Sequence, residues 1–457
     1  MESVDSRDEE TPLVVDSLQI RTPKNNTRDI HILSAAFLLI FLSYGAAQNL
    51  QSTVNTKDNL GTISLGILYT SFTFFSLFAS LVVRILGSKN ALILGTSGYW
   101  LFVAANLAPS WYTMVPTSAY LGFTASIIWV GEGTYLTATA RNHAIDHKLH
   151  EVTVIGNFNG EFWAVFALHQ FVGNLITLAV LRDGSVCVAL VVKFDLFSDI
   201  AQHGGSTSGT TLLFILFLTI MTLGTVLMYF LSKEDGKGEK ELADSSINFY
   251  SYVMSLSKSI ITPLFDIRMI LIIPLIAYSG LQQAFVWAEF TKEIVTPALG
   301  VSGVGGSMAV YGAFDAICSL VAGRLTSGLS SITFIVSGGA FAQAVVLLWL
   351  LLKYSLTSGV LGVLYPLLMA ALLGIGDGVL NTQLSALIGI LFKHDTEGAF
   401  AQLKVWQCAS IAIVFFIYPY ISLQAMLIVM LVGICVSMVG FLSLTILVEK
   451  TFCSRSS

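Results

Sequence analysis

Gly131-Glu132-Gly133-Thr134-Tyr135-Leu136-Thr137 closes an otherwise apolar run that begins near Trp111. The run is about as long as a helix must be to cross a bilayer. A carboxylate at that depth is costly and marks a candidate functional position. The two glycines flanking it let a neighbouring helix or a ligand approach the backbone. The pattern returns downstream as Gly376-Asp377-Gly378-Val379-Leu380-Asn381-Thr382, with glycine, acid, glycine and threonine at the same spacing. The echo points to a duplicated chain, each half carrying an acid in its own copy of one helix.

Composition supports a membrane environment. Of 457 residues, 55% are hydrophobic and only 11% charged, against roughly a quarter charged in soluble domains. The chain therefore reads as an all-α, polytopic membrane protein whose first partner is the lipid bilayer. A net charge of −5 argues against a nucleic-acid partner. The first thirty or so residues are polar and acidic, unlike a signal peptide. Cys187, Cys318, Cys408, Cys435 and Cys453 are scattered, which disfavours a disulfide framework; Cys453, just past the last span, reads as a free thiol or an acylation site.

Apolar runs of membrane-helix length fall near 31–50, 62–84, 90–108, 112–138, 154–181 and 210–231, and again near 269–288, 304–323, 332–352, 359–391, 398–420 and 424–448. The expected organisation is a disordered tail (1–29), a six-helix half (30–231), a central loop (232–266), a second six-helix half (267–448) and a short tail (449–457). Of the 23 Lys and Arg residues, Lys57, Arg182, Lys193, Lys292 and Lys353 fall in alternate loops, Lys404 falls within a span, and the rest lie on the other side. The positive-inside rule then places both termini in the cytosol. Gly45-Ala46-Ala47-Gln48 mirrors Gly280-Leu281-Gln282-Gln283, and Ser80 to Arg84 mirrors Ser319 to Arg324. Twelve helices in two like-oriented halves is the layout of the major facilitator fold, whose binding cavity lies between the halves.

The remaining segments read as loops. Residues 182–209 form a long outer loop whose apolar stretch, Val186 to Val192, is too short to span a bilayer. Ile247 to Ile261 places Phe249, Tyr250, Val253, Met254, Ile260 and Ile261 at helical spacing, suited to the membrane interface. Glu9 to Val14 resembles an acidic dileucine sorting signal with Val14 in place of the usual last residue, and the sequon at Asn25 stays unmodified in a cytosolic tail.

Five stretches carry a family resemblance: Gln48 to Gln51; Trp129 to Tyr135; Tyr278 to Phe285; Gly376-Asp377-Gly378 with Asn381; and Phe400-Ala401-Gln402. Together they resemble the uncoordinated-93 (Unc-93-like) family, a branch of the major facilitator superfamily, over nearly the whole membrane region. The resemblance implies a non-enzymatic protein acting in regulation of ion homeostasis, potassium above all, through a potassium channel or another membrane protein; other family members act as trafficking adaptors. Residues 185–203 look like an insertion relative to the family. The facilitator motif between spans two and three is decayed, since Val83 stands where an Asp normally precedes Arg84.

Glu132, Glu161, His169, Asp315, Asp377 and Lys404 are the ionisable groups within spans. Glu132 and Glu161, on adjacent helices, suit either a proton-coupled carrier of a small solute or a pair of structural acids bonded to Tyr135 and Asn157. Lys404 needs a partner or a wet cavity, and Asp377 on the preceding helix is the natural candidate. Gln48, Asn49, Gln51, Gln282 and Gln283 stand at matching ends of the first and seventh spans, where amides line a cavity or bond helix to helix; Asn381 belongs with them. Trp129, Trp163, Trp287 and Trp406 suit either a cavity wall or packing. No phosphate-binding loop, potassium-filter run, metal-ligand spacing or Ser/His/Asp set is present, so no cofactor, metal or catalytic residue is expected. Plasma membrane and endomembrane fit equally.

Overall fold

The computed structural model describes residues 25–54, 60–182, 209–233, 262–352, 360–417 and 420–456. Residues 1–24 with the sorting-signal stretch, residues 183–208, most of the central loop, Ser457, and the side chains of Asn49, Gln51 and Cys453 lie outside the described residues, and the short C-terminal tail continues the last helix to Ser456. The helices are α1 (Asn26–Val54), α2 (Leu60–Leu86), α3 (Ser88–Ala105), α4 (Trp111–Asp146), α5 (Glu151–Arg182), α6 (Gly209–Tyr229), α7 (Ile267–Phe285), α8 (Thr296–Leu325), α9 (Leu329–Leu352), α10 (Val360–Leu391), α11 (Thr396–Ile417) and α12 (Leu423–Ser456). Among the described residues, nine helical segments are long and apolar enough to cross a membrane, in α1, α2, α4 and α7 to α12. A shorter apolar helix, Phe214–Tyr229, lies in α6.

Local signals explain several boundaries. Ser110 caps α4 by accepting from the Thr113 amide while Thr113 Oγ1 accepts from the Ser110 amide, a reciprocal capping box. Asp266 caps α7 through the Arg268 amide. Beyond Phe285 the α7 axis continues as a π-helical stretch, Val286–Val295, a geometry frequent at functional sites. Gly300, at φ 74°, kinks the entry to α8, a conformation that glycine adopts without penalty.

Helices α1 to α6 pack largely among themselves, as do α7 to α12, and the two groups meet along α5–α8, α2–α11 and α5–α10. Glycines allow these approaches. A Cβ on Gly160 would lie 2.6 Å from Gly323 Cα and 2.8 Å from the Ser319 carbonyl, so the α5 and α8 backbones touch. Gly133 of the opening motif lies against the Phe400 ring of α11. Its downstream counterpart Gly378 lies against the Asp315 carbonyl of α8, where a Cβ would stand 2.5 Å away. The glycines that flank the acids are therefore helix-crossing points.

Candidate functional site: a charged central cavity

A cavity of about 1780 Å³ lies between the two helix groups. It is walled by α1 to α5 on one side, α3 contributing only Tyr99, and by α7, α8, α10 and α11 on the other. Its lining runs from Asn174, Thr291, Lys292 and Tyr420 at one end to Trp129, Trp163 and Lys404 in the depth. The opposite end is shut by a network spanning both groups. Arg84 on α2 pairs with Asp395 and, at 3.6 Å, with Glu397. Glu151, the first residue of α5, takes Arg141 at 3.2 Å and Lys393 at 2.7 Å. Arg141 also donates to the Gly389 carbonyl at 2.5 Å and to Thr396 Oγ1 at 3.4 Å. Burial pushes the Glu151 carboxyl up, but the bonds and charges of Lys393 and Arg141 outweigh it and hold the group below the usual glutamate value. Beside it, the Arg268 guanidinium likewise holds Asp266 low and donates to the Leu391 carbonyl at 2.8 Å. The structure is thus closed at its basic end and open at the other.

In the depth of the cavity, Lys404 reaches from α11 across the seam to α4. Its Nζ lies 4.4 Å from the centre of the Trp129 ring and 5.9 Å from that of Trp163, the two rings stacked 5.8 Å apart. It donates to Gln407 Oε1 at 3.0 Å. Cation–π contact of this kind contributes about 0.5–2 kcal/mol, more when dry. Each tryptophan is held by its indole N–H, Trp129 on Tyr99 Oη and Trp163 on Ser385 Oγ, both at 3.2 Å. On the other side of the cavity, Asp377 accepts from Tyr311 Oη at 2.6 Å and from Gln283 Nε2 at 3.1 Å. Gln283 also donates to Asn381 Oδ1 at 3.2 Å. Asp315, one turn along α8 from Tyr311, accepts from Ser319 at 3.1 Å.

The expected Asp377–Lys404 ion pair is not formed. Asp377 is taken up by Tyr311 and Gln283, while Lys404 turns to the Trp129 face and to Gln407. Nor do Glu132 and Glu161 form a site. Glu161 accepts from His31 on α1 at 2.5 Å, at the side of the bundle. Glu132 is 2% exposed, its Oε1 has no hydrogen-bond partner among the described residues, and Lys404 is the charge acting on it. Tyr135 points away from the cavity, donating to Asp29 and to the Ser232 carbonyl. Gln282 is fully buried beside Gln283 and outside the lining. Gln48, Gln283, Asp315, Asp377, Asn381 and Lys404 do line it, as does His169, whose Nδ1 meets the Phe166 carbonyl at 2.6 Å. Sequence reasoning missed Tyr311, Gln407 and the closing network. Only the network had a readable signal, charges clustered where α2, α4, α5 and α10 meet their short loops.

Residues 52–442 match the family model described as "Ion channel regulatory protein UNC-93". The chain belongs to the UNC-93 family. Among its relatives, UNC93-like protein 3 of Arabidopsis thaliana is 70% identical over 428 residues, covering 93% of this chain and 88% of that protein. Human Protein unc-93 homolog A is 31% identical, covering 91% of this chain and 92% of its own. The Caenorhabditis elegans protein named "Putative potassium channel regulatory protein unc-93" is 27% identical over 91% of this chain, which spans 60% of that longer protein. Among solved structures, the major facilitator superfamily transporter FucP in the outward conformation superposes with a TM-score of 0.61 at 11% identity, covering 92% of this chain and 99% of that one. The Escherichia coli fucose:proton symporter FucP superposes comparably, at 0.60. This UNC-93 family member is therefore a multi-pass helical membrane protein with a major-facilitator-like fold.

Proposed function

We propose that this UNC-93 family protein regulates ion homeostasis, that of potassium above all, by acting on a channel partner in the same membrane. The observation that carries the reading is the family match over residues 52–442, described as an ion channel regulatory protein; the printed name of the nematode relative adds potassium. In this reading the bundle has twelve spans in two six-helix halves, with the termini and the basic end in the cytosol. It contributes no catalysis.

A second reading, a proton-coupled secondary carrier of a small solute, is favoured by the central cavity, with Asp315, Asp377 and Lys404 in its lining and Glu132 just behind. One pair of measurements separates the two. Purified protein in proteoliposomes is assayed for potassium and solute flux with and without a pH gradient, and the protein is co-expressed with potassium channels while current and channel surface amount are recorded. A regulator is silent alone and changes current per channel. Flux by the purified protein that Glu132→Gln abolishes would replace regulation with transport. A change in surface amount without a change per channel would make it a trafficking adaptor.

A further inference from the structure

The cavity lining holds buried ionisable groups of both signs, and among the described residues none of them makes an ion pair within 4 Å. Among the described residues Lys404, 6% exposed, makes no ion pair within 4 Å, the acid acting on it being Glu132 outside the lining, and Asp315 and Asp377, 7% and 5% exposed, have no cation within that distance. Lys404 spends one of its three donors on Gln407 and rests on a tryptophan face, leaving two donors for the cavity. Across the cavity, Asp377 is oriented by Tyr311 and Gln283, and Asp315 by a single hydroxyl. Burying an unpaired charge is costly, and the cost is recovered when an opposite charge arrives with hydrogen bonds. Side chains on α10 and α11 that could neutralise each other are instead held apart by their own partners. That arrangement leaves a cationic pole and an anionic pole facing one space.

We infer that the cavity binds a small organic zwitterion, its carboxylate on Lys404 over the Trp129–Trp163 stack and its ammonium on Asp315 and Asp377. A simple cation would satisfy the aspartates and leave Lys404 without a hydrogen-bonded counter-charge inside the cavity, since Glu132 lies outside the lining. A simple anion would do the reverse. Only a molecule with both groups removes both penalties, and the indole stack gives its carbon frame an apolar floor. The inference rests on the cavity and not on either functional reading. A regulator that senses the molecule and a carrier that moves it would both bind it, so the test measures binding without flux or current.

The fold supplies a reporter. Cys408 lines the cavity one turn beyond Lys404 on α11. With the other four cysteines replaced by serine, maleimide labelling of Cys408 in purified full-length protein reads occupancy, and thermal stabilisation reads it independently. The probes are glycine, 4-aminobutyrate, 6-aminohexanoate and phenylalanine, each compared with the amine and the acid that lack one charge, and with KCl alone. At least one zwitterion is expected to protect Cys408 and raise Tm, and either single-charge analogue to bind about ten- to a hundredfold more weakly, the loss of one charged hydrogen bond. Lys404→Met should then bind the amine as well as the zwitterion, and Asp377→Asn the acid as well as the zwitterion. If a variant does not fold, the analogue series on the parent protein decides. Equal protection by an amine or KCl would reduce the site to a cation site and overturn the inference, as would equal protection by the acid. So would folded protein in which no zwitterion changes labelling or Tm.

Discussion

Arg141 is the hinge pin of the closed end, and its removal should open the bundle there. The guanidinium ties α4 to the Gly389 carbonyl at 2.5 Å, to Thr396 at 3.4 Å and to Glu151 at 3.2 Å. The first bond is short, charge-assisted and crosses between helix groups, so its loss costs about 1.5–3 kcal/mol. The Glu151 pair is partly exposed and adds only about 0.2–1 kcal/mol. Taking about 2 kcal/mol, Arg141→Ala shifts the closed–open equilibrium roughly 30-fold, which would raise an open population of about 1% to about a quarter. Spin labels on Leu149 and Ser327, exposed positions either side of the α5–α8 seam, report the opening by double electron–electron resonance. A long-distance population should appear in the variant and be negligible in the parent. Identical distance distributions, with both proteins folded, would refute the assignment of Arg141 as a closing contact.

Glu151 makes that closure pH-dependent in a defined direction. Because its folded value lies below the ordinary glutamate value, its contribution is complete above that ordinary value, about 4.3, and is lost as pH falls through the lower folded value; the same labels should show opening on acidification that Glu151→Gln makes largely pH-independent. Gly160→Leu should lower the thermal midpoint of the purified protein by the equivalent of about 1–3 kcal/mol through overpacking, whereas Gly338→Ala, whose new methyl meets nothing within 4 Å among the described residues, should leave it unchanged or raised. Lys404→Met and Asp377→Asn should have additive effects on stability, within about 0.5 kcal/mol; a larger coupling measured in a double-mutant cycle would restore the direct pair that the geometry replaces with Trp129 and Tyr311.

Much of the architecture is legible in the chain because the bilayer is an exacting solvent. Backbone groups there must be satisfied within the helix, so apolar runs of spanning length become helices whatever their neighbours do. The expected runs near 112–138 and 359–391 correspond to α4 and α10, and the repeated glycine–acid–glycine pattern located two helices that face the cavity. The resemblance at Trp129 to Tyr135 and Tyr278 to Phe285 led to the right family for the same reason: those residues sit where helices cross and walls meet.

Direction and partnership within the bundle were not legible. Glu132 and Glu161 lie on neighbouring helices, yet the rotation of α5 turns Glu161 to His31 at the side of the bundle. Tyr135, nearly one turn beyond Glu132 on α4, spends its hydroxyl on Asp29 and the Ser232 carbonyl and not on the cavity. Adjacency along the chain suggested Asp377 for Lys404, but a lysine side chain is long, and the face of Trp129 from the other helix group is what it meets. Hydropathy and charge depend on residue type alone, so the chain carries them openly. Which side chains share a cavity depends on helix rotation and on crossings such as Gly160 against Gly323, quantities set by packing among all the helices at once.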